Sequence, residues 1–345
     1  MKNDRGAQNP VKTQNKSTVY YAIFFTVVCG LTIIAHLYFF KTKLHAKDSE
    51  SMKNSDCPSS LTIIRGNDKE LINRLYLADV EIESPKYSEL KEDLSRLILQ
   101  HTGRGIVQSV SVYFRDLNRG SWMSIDGDRG YMVGSLMKVP IMIYYLLMER
   151  DHPGTLKKEL IYVKPKHQFP SQEFKGDSIL SGQRYKISEL LRYMIVESDN
   201  NATILLSRDI DPEIFRKIFT DLIIPPDEIN DIDYQISPKQ YSKFFRVLYN
   251  ATYLTRKLSE YALQLLTQCK FNHGISRDLP PGIIIARKFG ELGRNEVMDF
   301  SECAIVYRGN EPYLLMIMTK GTNVKEQTDL VSEISDMVYH FQDKD

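Results

Sequence analysis

Hydrophobic and polar positions divide this chain into an apolar run, a polar stretch and a long remainder of mixed period. Val19–Phe40 carries no Asp, Glu, Lys or Arg. At about 1.5 Å per helical residue, it reaches across a hydrocarbon core of about 30 Å. Tyr20, Tyr21 and Tyr38 lie at its edges, where aromatic belts form. No Ala-x-Ala-like cleavage site follows, so the run predicts a retained transmembrane anchor after a tail at residues 1–18. Lys41–Pro58 is polar and reads as a tether, part of a linker with short leading elements over residues 41–83.

Beyond the tether, Leu61–Ile64 predicts a short strand and Leu71–Leu77 a short helix. Between Tyr87 and Leu99, Leu90, Leu94, Leu97 and Ile98 line one helical face. Val110, Val112 and Phe114 alternate with Ser109, Ser111 and Tyr113, as in a strand. Asn118-Arg119-Gly120 supplies a turn, and Ser121–Ile125 returns. After Gly134 the period becomes helical, with Met137, Ile141, Tyr144, Tyr145 and Leu147 on one side. Glu189–Ile195 predicts another helix, capped by Ser188. Ile283–Ala286 is an apolar run that fits a buried strand.

Composition narrows the function classes. The 345 residues allow one large domain or two modest ones, with 42% hydrophobic and 26% charged positions. The formal net charge of +1 and the lack of a basic stripe with interleaved aromatics argue against nucleic acid. Cys29, Cys57, Cys269 and Cys303 do not have zinc spacing, and the seven histidines form no His-Glu-x-x-His, so no metal or other cofactor is expected. Cys29 lies in the apolar run; a disulfide among Cys57, Cys269 and Cys303 is left open.

Three short motifs stand in order: Ser135-Leu136-Met137-Lys138, Ser198-Asp199-Asn200 and Lys288-Phe289-Gly290. Ser-x-x-Lys arises by chance about once or twice in a chain of this length. Ser88-Glu89-Leu90-Lys91 is such a copy, on the polar side of an ordinary helix. Ser135 falls near a helix N-terminus, where unpaired N–H groups can hold an oxyanion. Lys138, three residues on, shares its helical face. A buried lysine near positive charge can lose its proton and accept the serine's. Pro140 removes a helical bond to the carbonyl of Leu136 and should bend the first turns. Asp199 suits bonding to backbone groups, and Gly290 permits close backbone approach by a ligand. Glu197 and Glu302 lack the context of a glycosidase pair.

The ordered set resembles the signature of class A β-lactamases and penicillin-recognising serine hydrolases. The resemblance runs from about Ser84 to the C-terminus. It takes in a hairpin at Val107–Ile125, the lead-in Ile187–Leu191, a strand pair at Ile283–Arg308 and a closing helix at Lys325–Phe341. It implies a mixed α/β fold over residues 84–345. An antiparallel sheet from Val107–Ile125 and Ile283–Met318 is flanked by terminal helices, with a helical insertion at Ser135–Cys269.

By the same resemblance, Ser135 attacks, Lys138 is the base and Ser198 relays a proton. Asn200 and Lys288 hold substrate beside Gly290, and the N–H groups of Ser135 and Glu291 form the oxyanion hole. Two departures stand out. The stretch Asp221–Pro238 is short for the loop that carries a deacylating glutamate, and Glu228 lies in an unrelated context. Phe289 replaces a threonine whose hydroxyl would bond a substrate carboxylate; the phenyl ring either narrows the site or stacks on substrate. Arg287 is a poor substitute, since adjacent strand residues face opposite ways.

The resulting expectation is a single-pass plasma-membrane protein with its hydrolase domain outside the cytoplasm. It would act on a β-lactam or related amide, with slow deacylation. The alternatives are a D,D-peptidase or transpeptidase on peptidoglycan stem peptides, and a non-hydrolysing penicillin-binding sensor.

Overall fold

The computed structural model describes residues 61–66, 73–164, 173–174, 176–226, 229, 234–294 and 296–342. The run Val19–Phe40, the tether, Cys29, Cys57 and Glu228 lie outside the described residues. No helix among the described residues is long and apolar enough to cross a membrane.

In chain order, β1 (Leu61–Arg65) and β2 (Leu75–Val80) pair antiparallel and lead to α1 (Ser88–Thr102). The chain continues through β3 (Val107–Asp116), β4 (Trp122–Ile125) and β5 (Tyr131–Met132) to α2 (Lys138–Asp151). A small ladder of β6 (Glu159–Ile161) and β7 (Arg184–Lys186) precedes α3 (Ile187–Val196), α4 (Asn200–Ser207) and α5 (Pro212–Asp221). β8 (Gln235–Ile236) pairs with β5 and is followed by α6 (Pro238–Tyr249) and α7 (Arg256–Thr267). β9 (Ile284–Arg294), β10 (Val297–Tyr307), β11 (Tyr313–Gly321) and α8 (Val324–Phe341) complete the chain.

The main sheet is antiparallel, in the order β4-β3-β11-β10-β9. Its strands are buried on both faces. Val110, Val112 and Phe114 of β3 join Leu90 and Leu94 of α1 and Leu330 and Ile334 of α8 in one apolar cluster. Tyr113 of β3 and Leu314, Met316 and Met318 of β11 enter the other, with α2, α3 and α6. Pleat alternation thus divides the core between the terminal helices and the helical insertion. This is the expected mixed α/β architecture.

Three local expectations are corrected. Residues 75–80 of the expected Leu71–Leu77 helix and beyond form β2, because Leu77 through Val80 pair with β1 and Leu75 pairs with Arg65 after a register shift. Residues 71–72 lie outside the described ones. Helix α2 is buried on all sides from Lys138 to Leu147, because it runs through the insertion's core, so its apolar positions do not form one stripe. Ser188 is not a cap: α3 starts at Ile187, and the Glu189 carboxylate accepts the Lys186 N–H at 2.7 Å. Cys269 and Cys303 are buried free thiols.

The leading hairpin is pinned to the sheet and to α6 by one carboxylate. Asp79 accepts from Arg115 at 3.0 Å and from both terminal nitrogens of Arg246, and both guanidiniums are buried. These guanidiniums hold Asp79 below the usual carboxylate range against the opposing effect of burial.

Candidate active site

The site begins with a tight turn. Gly134–Met137 form a 3₁₀ turn, and α2 starts only at Lys138. Pro140 is therefore the third residue of the helix, where its missing N–H leaves no intrahelical bond unmade. The Leu136 carbonyl instead accepts the hydroxyl of fully buried Tyr241 at 2.9 Å. Burial drives the Tyr241 phenol well above its ordinary pKa, so it remains a donor. The expected bend at Pro140 is thus taken up by a change of helix type.

Two glycines let this turn lie against β9. Gly134 has φ +49°, and a Cβ there would meet the Glu291 carbonyl oxygen at 2.8 Å. A Cβ on Gly290 would meet the Leu136 nitrogen at 2.9 Å and the Val133 oxygen at 3.0 Å. The close approach at Gly290 is expected of a ligand; the backbone that lies against it here is the chain's own.

Lys138 Nζ lies 2.9 Å from Ser135 Oγ, 3.0 Å from Ser198 Oγ, 2.6 Å from the Ser198 carbonyl and 2.9 Å from Asn200 Oδ1. The two carbonyl-type oxygens can only accept. A neutral amine satisfies both with its two N–H bonds and keeps a lone pair for a serine hydroxyl. Burial, then the charge of Lys288, holds Lys138 far below the usual lysine range. The Lys138 amine is thus within reach of the Ser135 proton, and burial favours its neutral form.

Ser198 reaches its place through strain. It follows α3 and has φ +55°, a left-handed conformation that is uncommon without glycine. Asp199 then caps α4, accepting the N–H groups of Asn201 at 3.0 Å and Ala202 at 3.2 Å. It also accepts from Ser178 Oγ at 2.8 Å and the Ile179 N–H at 3.1 Å. This is the structural role read for Asp199.

Lys288 enters from β9 and places Nζ 3.0 Å from Ser198 Oγ and 2.7 Å from the Phe289 carbonyl. Burial pushes its ammonium down to about 8. Ser198 Oγ therefore stands between two lysines, at 3.0 Å from each. Ser135 is 7% exposed, and Ser198 and Lys288 are wholly buried.

The expectation that Phe289 stacks on substrate is overturned by its complete burial. The Phe289 ring lies against the site lysine, its centroid 4.1 Å from Lys288 Nζ. Phe289 is buried and stacks on Phe271 at 4.2 Å, with Phe174 edge-on at 5.3 Å. Arg287 donates to the Cys269 carbonyl at 3.1 Å, which leaves it no substrate role. Glu197 binds Lys270 at 2.9 Å, and Glu302 accepts the Ile275 N–H at 2.8 Å; neither is half of a catalytic carboxylate pair. Ser88 and Lys91 stay on the outer face of α1, bonded to the Pro85 carbonyl and to Glu83.

Glu291 lies beside the nucleophile turn. Its carboxylate accepts the Glu173 N–H at 2.8 Å and that of Phe174, while burial raises its pKa. Three features had no signal in the motifs: the Tyr241 support, the Gly134–Glu291 contact and the segment at 176–180. Each joins residues far apart in the chain.

A family model described as the β-lactamase enzyme family matches residues 89–342. In three dimensions the chain is similar to a β-lactamase from Chitinophaga pinensis DSM 2588, with 14% identity and a TM-score of 0.64 over 74% of this chain and 100% of that one. It is also similar to PBP-A, with 19% identity and a TM-score of 0.61 over 74% and 97%. The TLA-1 extended spectrum β-lactamase gives 16% identity and a TM-score of 0.61 over 72% and 99%. At these identities the likeness is one of fold. No curated relative matches the sequence.

Proposed function

This chain belongs to the β-lactamase enzyme family and is a serine hydrolase resembling those enzymes; on that premise we propose that it transfers the acyl group of a β-lactam or related amide to Ser135. The observation that carries the reading is the place of Lys138 Nζ, 2.9 Å from Ser135 Oγ and 3.0 Å from Ser198 Oγ.

Ser135 Oγ forms a bond to the carbonyl carbon as its proton passes to the Lys138 amine. The N–H groups of Ser135 and Glu291 hold the oxyanion. When the C–N bond breaks, the leaving nitrogen takes the Ser198 proton, and Lys138 returns its own to Ser198. Lys288 keeps positive charge beside the relay, and Asn200 orients Lys138 and the substrate amide. Water then releases the acyl group. The short stretch at 221–238 motivates slow release, since loss of a general base typically costs about 10²–10⁴-fold.

The run Val19–Phe40 motivates membrane anchorage with the domain outside the cytoplasm. Protease digestion of intact cells would test this: degradation of the domain supports it, and protection overturns it.

Intact-mass spectrometry of the full chain in detergent, mixed with benzylpenicillin and sampled over time, tests the chemistry. An adduct on the wild type and none on Ser135→Ala supports it. An equal adduct on both, or none from penicillin or stem-peptide donors, overturns it. Adduct lifetime separates a β-lactamase from a penicillin-binding sensor, and release of terminal D-alanine would assign a D,D-peptidase.

A further inference from the structure

The relay serine is held in place by residues outside its own motif. Ser198 stands at φ +55°, and such a conformation persists only where the surroundings fix it. The Tyr193 carbonyl accepts the N–H groups of both neighbours, Glu197 at 3.2 Å and Asp199 at 3.1 Å. The same two neighbours are gripped a second time, by the strap at residues 176–179.

The strap meets each flank through separate contacts. On one side, the Asp177 N–H donates to Glu197 Oε2 at 3.2 Å. Gly176 lies so close there that a Cβ would meet the Glu197 carbonyl oxygen at 2.7 Å. On the other side, Ser178 Oγ donates to Asp199 Oδ1 at 2.8 Å, and the Ile179 N–H donates to Asp199 Oδ2 at 3.1 Å. Ser178 Oγ also accepts from Asn201 Nδ2 at 2.9 Å, which ties the strap to the first turn of α4. The strap thus grips residues 197, 199 and 201 and straddles Ser198. Once it lets go, the cheaper negative φ is open to Ser198, and there its hydroxyl leaves the 3.0 Å contacts with Lys138 and Lys288. The contact of Lys138 with Ser135, at 2.9 Å, does not run through the strap.

We infer that Ser178 is a positioning residue for the proposed acyl transfer: by bridging Asp199 and Asn201 it keeps the Ser198 hydroxyl between the two lysines, ready to protonate the leaving nitrogen. The inference rests on the reading of Ser135 as nucleophile and Ser198 as relay.

The test uses the full chain and two acyl donors that differ in what the leaving atom needs. With benzylpenicillin, Ser135 Oγ bonds to the carbonyl carbon, the C–N bond breaks and the nitrogen takes the Ser198 proton. With the phenyl thioester of phenylacetate, Ser135 Oγ displaces sulfur and benzenethiolate departs without a proton. The Ser135 proton then stays on Lys138 and later passes to water. Adduct mass follows the first reaction and thiolate release the second, each at saturating donor.

Ser178→Ala should slow the penicillin step by about tenfold or more, part of what a proton donor contributes, and the thioester step by less than about threefold. Ser178 is exposed, so the change opens no cavity. Ser178→Thr keeps the hydroxyl and should restore the penicillin rate. Gly176→Ala, which pushes the strap off the Glu197 carbonyl, should show the same split. The thioester rate counts intact nucleophile, so the ratio of the two rates reads positioning even in a variant that folds poorly.

A ratio unchanged in both Ser178→Ala and Gly176→Ala, equal slowing of the two donors, or a Ser178→Thr protein as impaired as the alanine variant would overturn the inference. Ser198→Ala separates this failure from failure of the parent reading, since it should show the split in full whatever Ser178 does. A Ser198→Ala protein that acylates at the wild-type rate removes the relay. An adduct that persists on Ser135→Ala, or a wild type that reacts with neither donor, removes the nucleophile. The inference falls with either.

Discussion

Lys138 donates from Nζ to the backbone carbonyl of Ser198 over 2.6 Å, so the base is aimed by the backbone as well as the side chain of the relay serine. That carbonyl is presented by a residue at φ +55°. The strain and the alignment of the base are therefore parts of one device.

Substituting the strained residue separates stability from activity. Ser198→Gly should be more stable than Ser198→Ala by about 1 kcal/mol, because glycine tolerates positive φ. Both should lose most acylation, since neither has a hydroxyl between the lysines. Thermal melts beside penicillin adduct rates check this; equal melting temperatures would remove the strain argument.

Removing the nucleophile or the base gives different signatures. Ser135→Ala should abolish the adduct with little change in melting temperature. Lys138→Met should slow acylation by about 10²–10⁴-fold while raising stability, because it removes a buried, desolvated amine. A Lys138→Met protein that acylates at the wild-type rate would exclude the amine as base.

Activity and stability should respond to alkaline pH in opposite directions. Folded Lys288 releases its proton near pH 8, and the unfolded chain holds it to 10.5. Between these values the unfolded state binds more protons, so stability rises with pH across that window. The buried charge costs about 3 kcal/mol below it. Acylation should fall above pH 8 as the positive charge is lost. Denaturant melts and acylation rates from pH 7 to 10.5 check both limbs, and Lys288→Met should flatten the stability slope.

Gly290→Ala should destabilise the fold by about 1–3 kcal/mol and slow acylation, because its methyl meets backbone at Leu136 and Val133. Tyr241→Phe should cost a similar amount, about 1–3 kcal/mol, by removing the buried side-chain donor to the Leu136 carbonyl. Chemical denaturation measures both, and a neutral Tyr241→Phe would show that the 3₁₀ turn needs no outside donor.

Much of the site was legible because its chemistry is local. Ser135 with Lys138, and Ser198 with Asn200, are near neighbours in the chain, and their residue types are restrictive in that order. The sheet was legible from the alternation at Val110–Phe114 and the apolar run at Ile283–Ala286. Leu75, Tyr76 and Leu77 misled because three apolar residues fit a helical turn and a strand equally well; pairing with β1 decides between them. Phe289 was misread because no local pattern shows that Phe271 and Phe174, distant in the chain, cover its ring. Tyr241 on Leu136 and Gly134 on Glu291 carry no local pattern, since each contact closes a long loop.

The Asp79 junction has a mechanical consequence. Leu61 pairs with Val80 at the open end of the hairpin. Tension applied at residue 61 would therefore peel β1 from β2 one rung at a time, in the weak unzipping direction. β2 stays riveted to β3 and α6 through Arg115 and Arg246. The hairpin can thus yield as a strain relief while the load stops at that rivet, with the Ser135 turn, the lysine pair and Glu291 off its path.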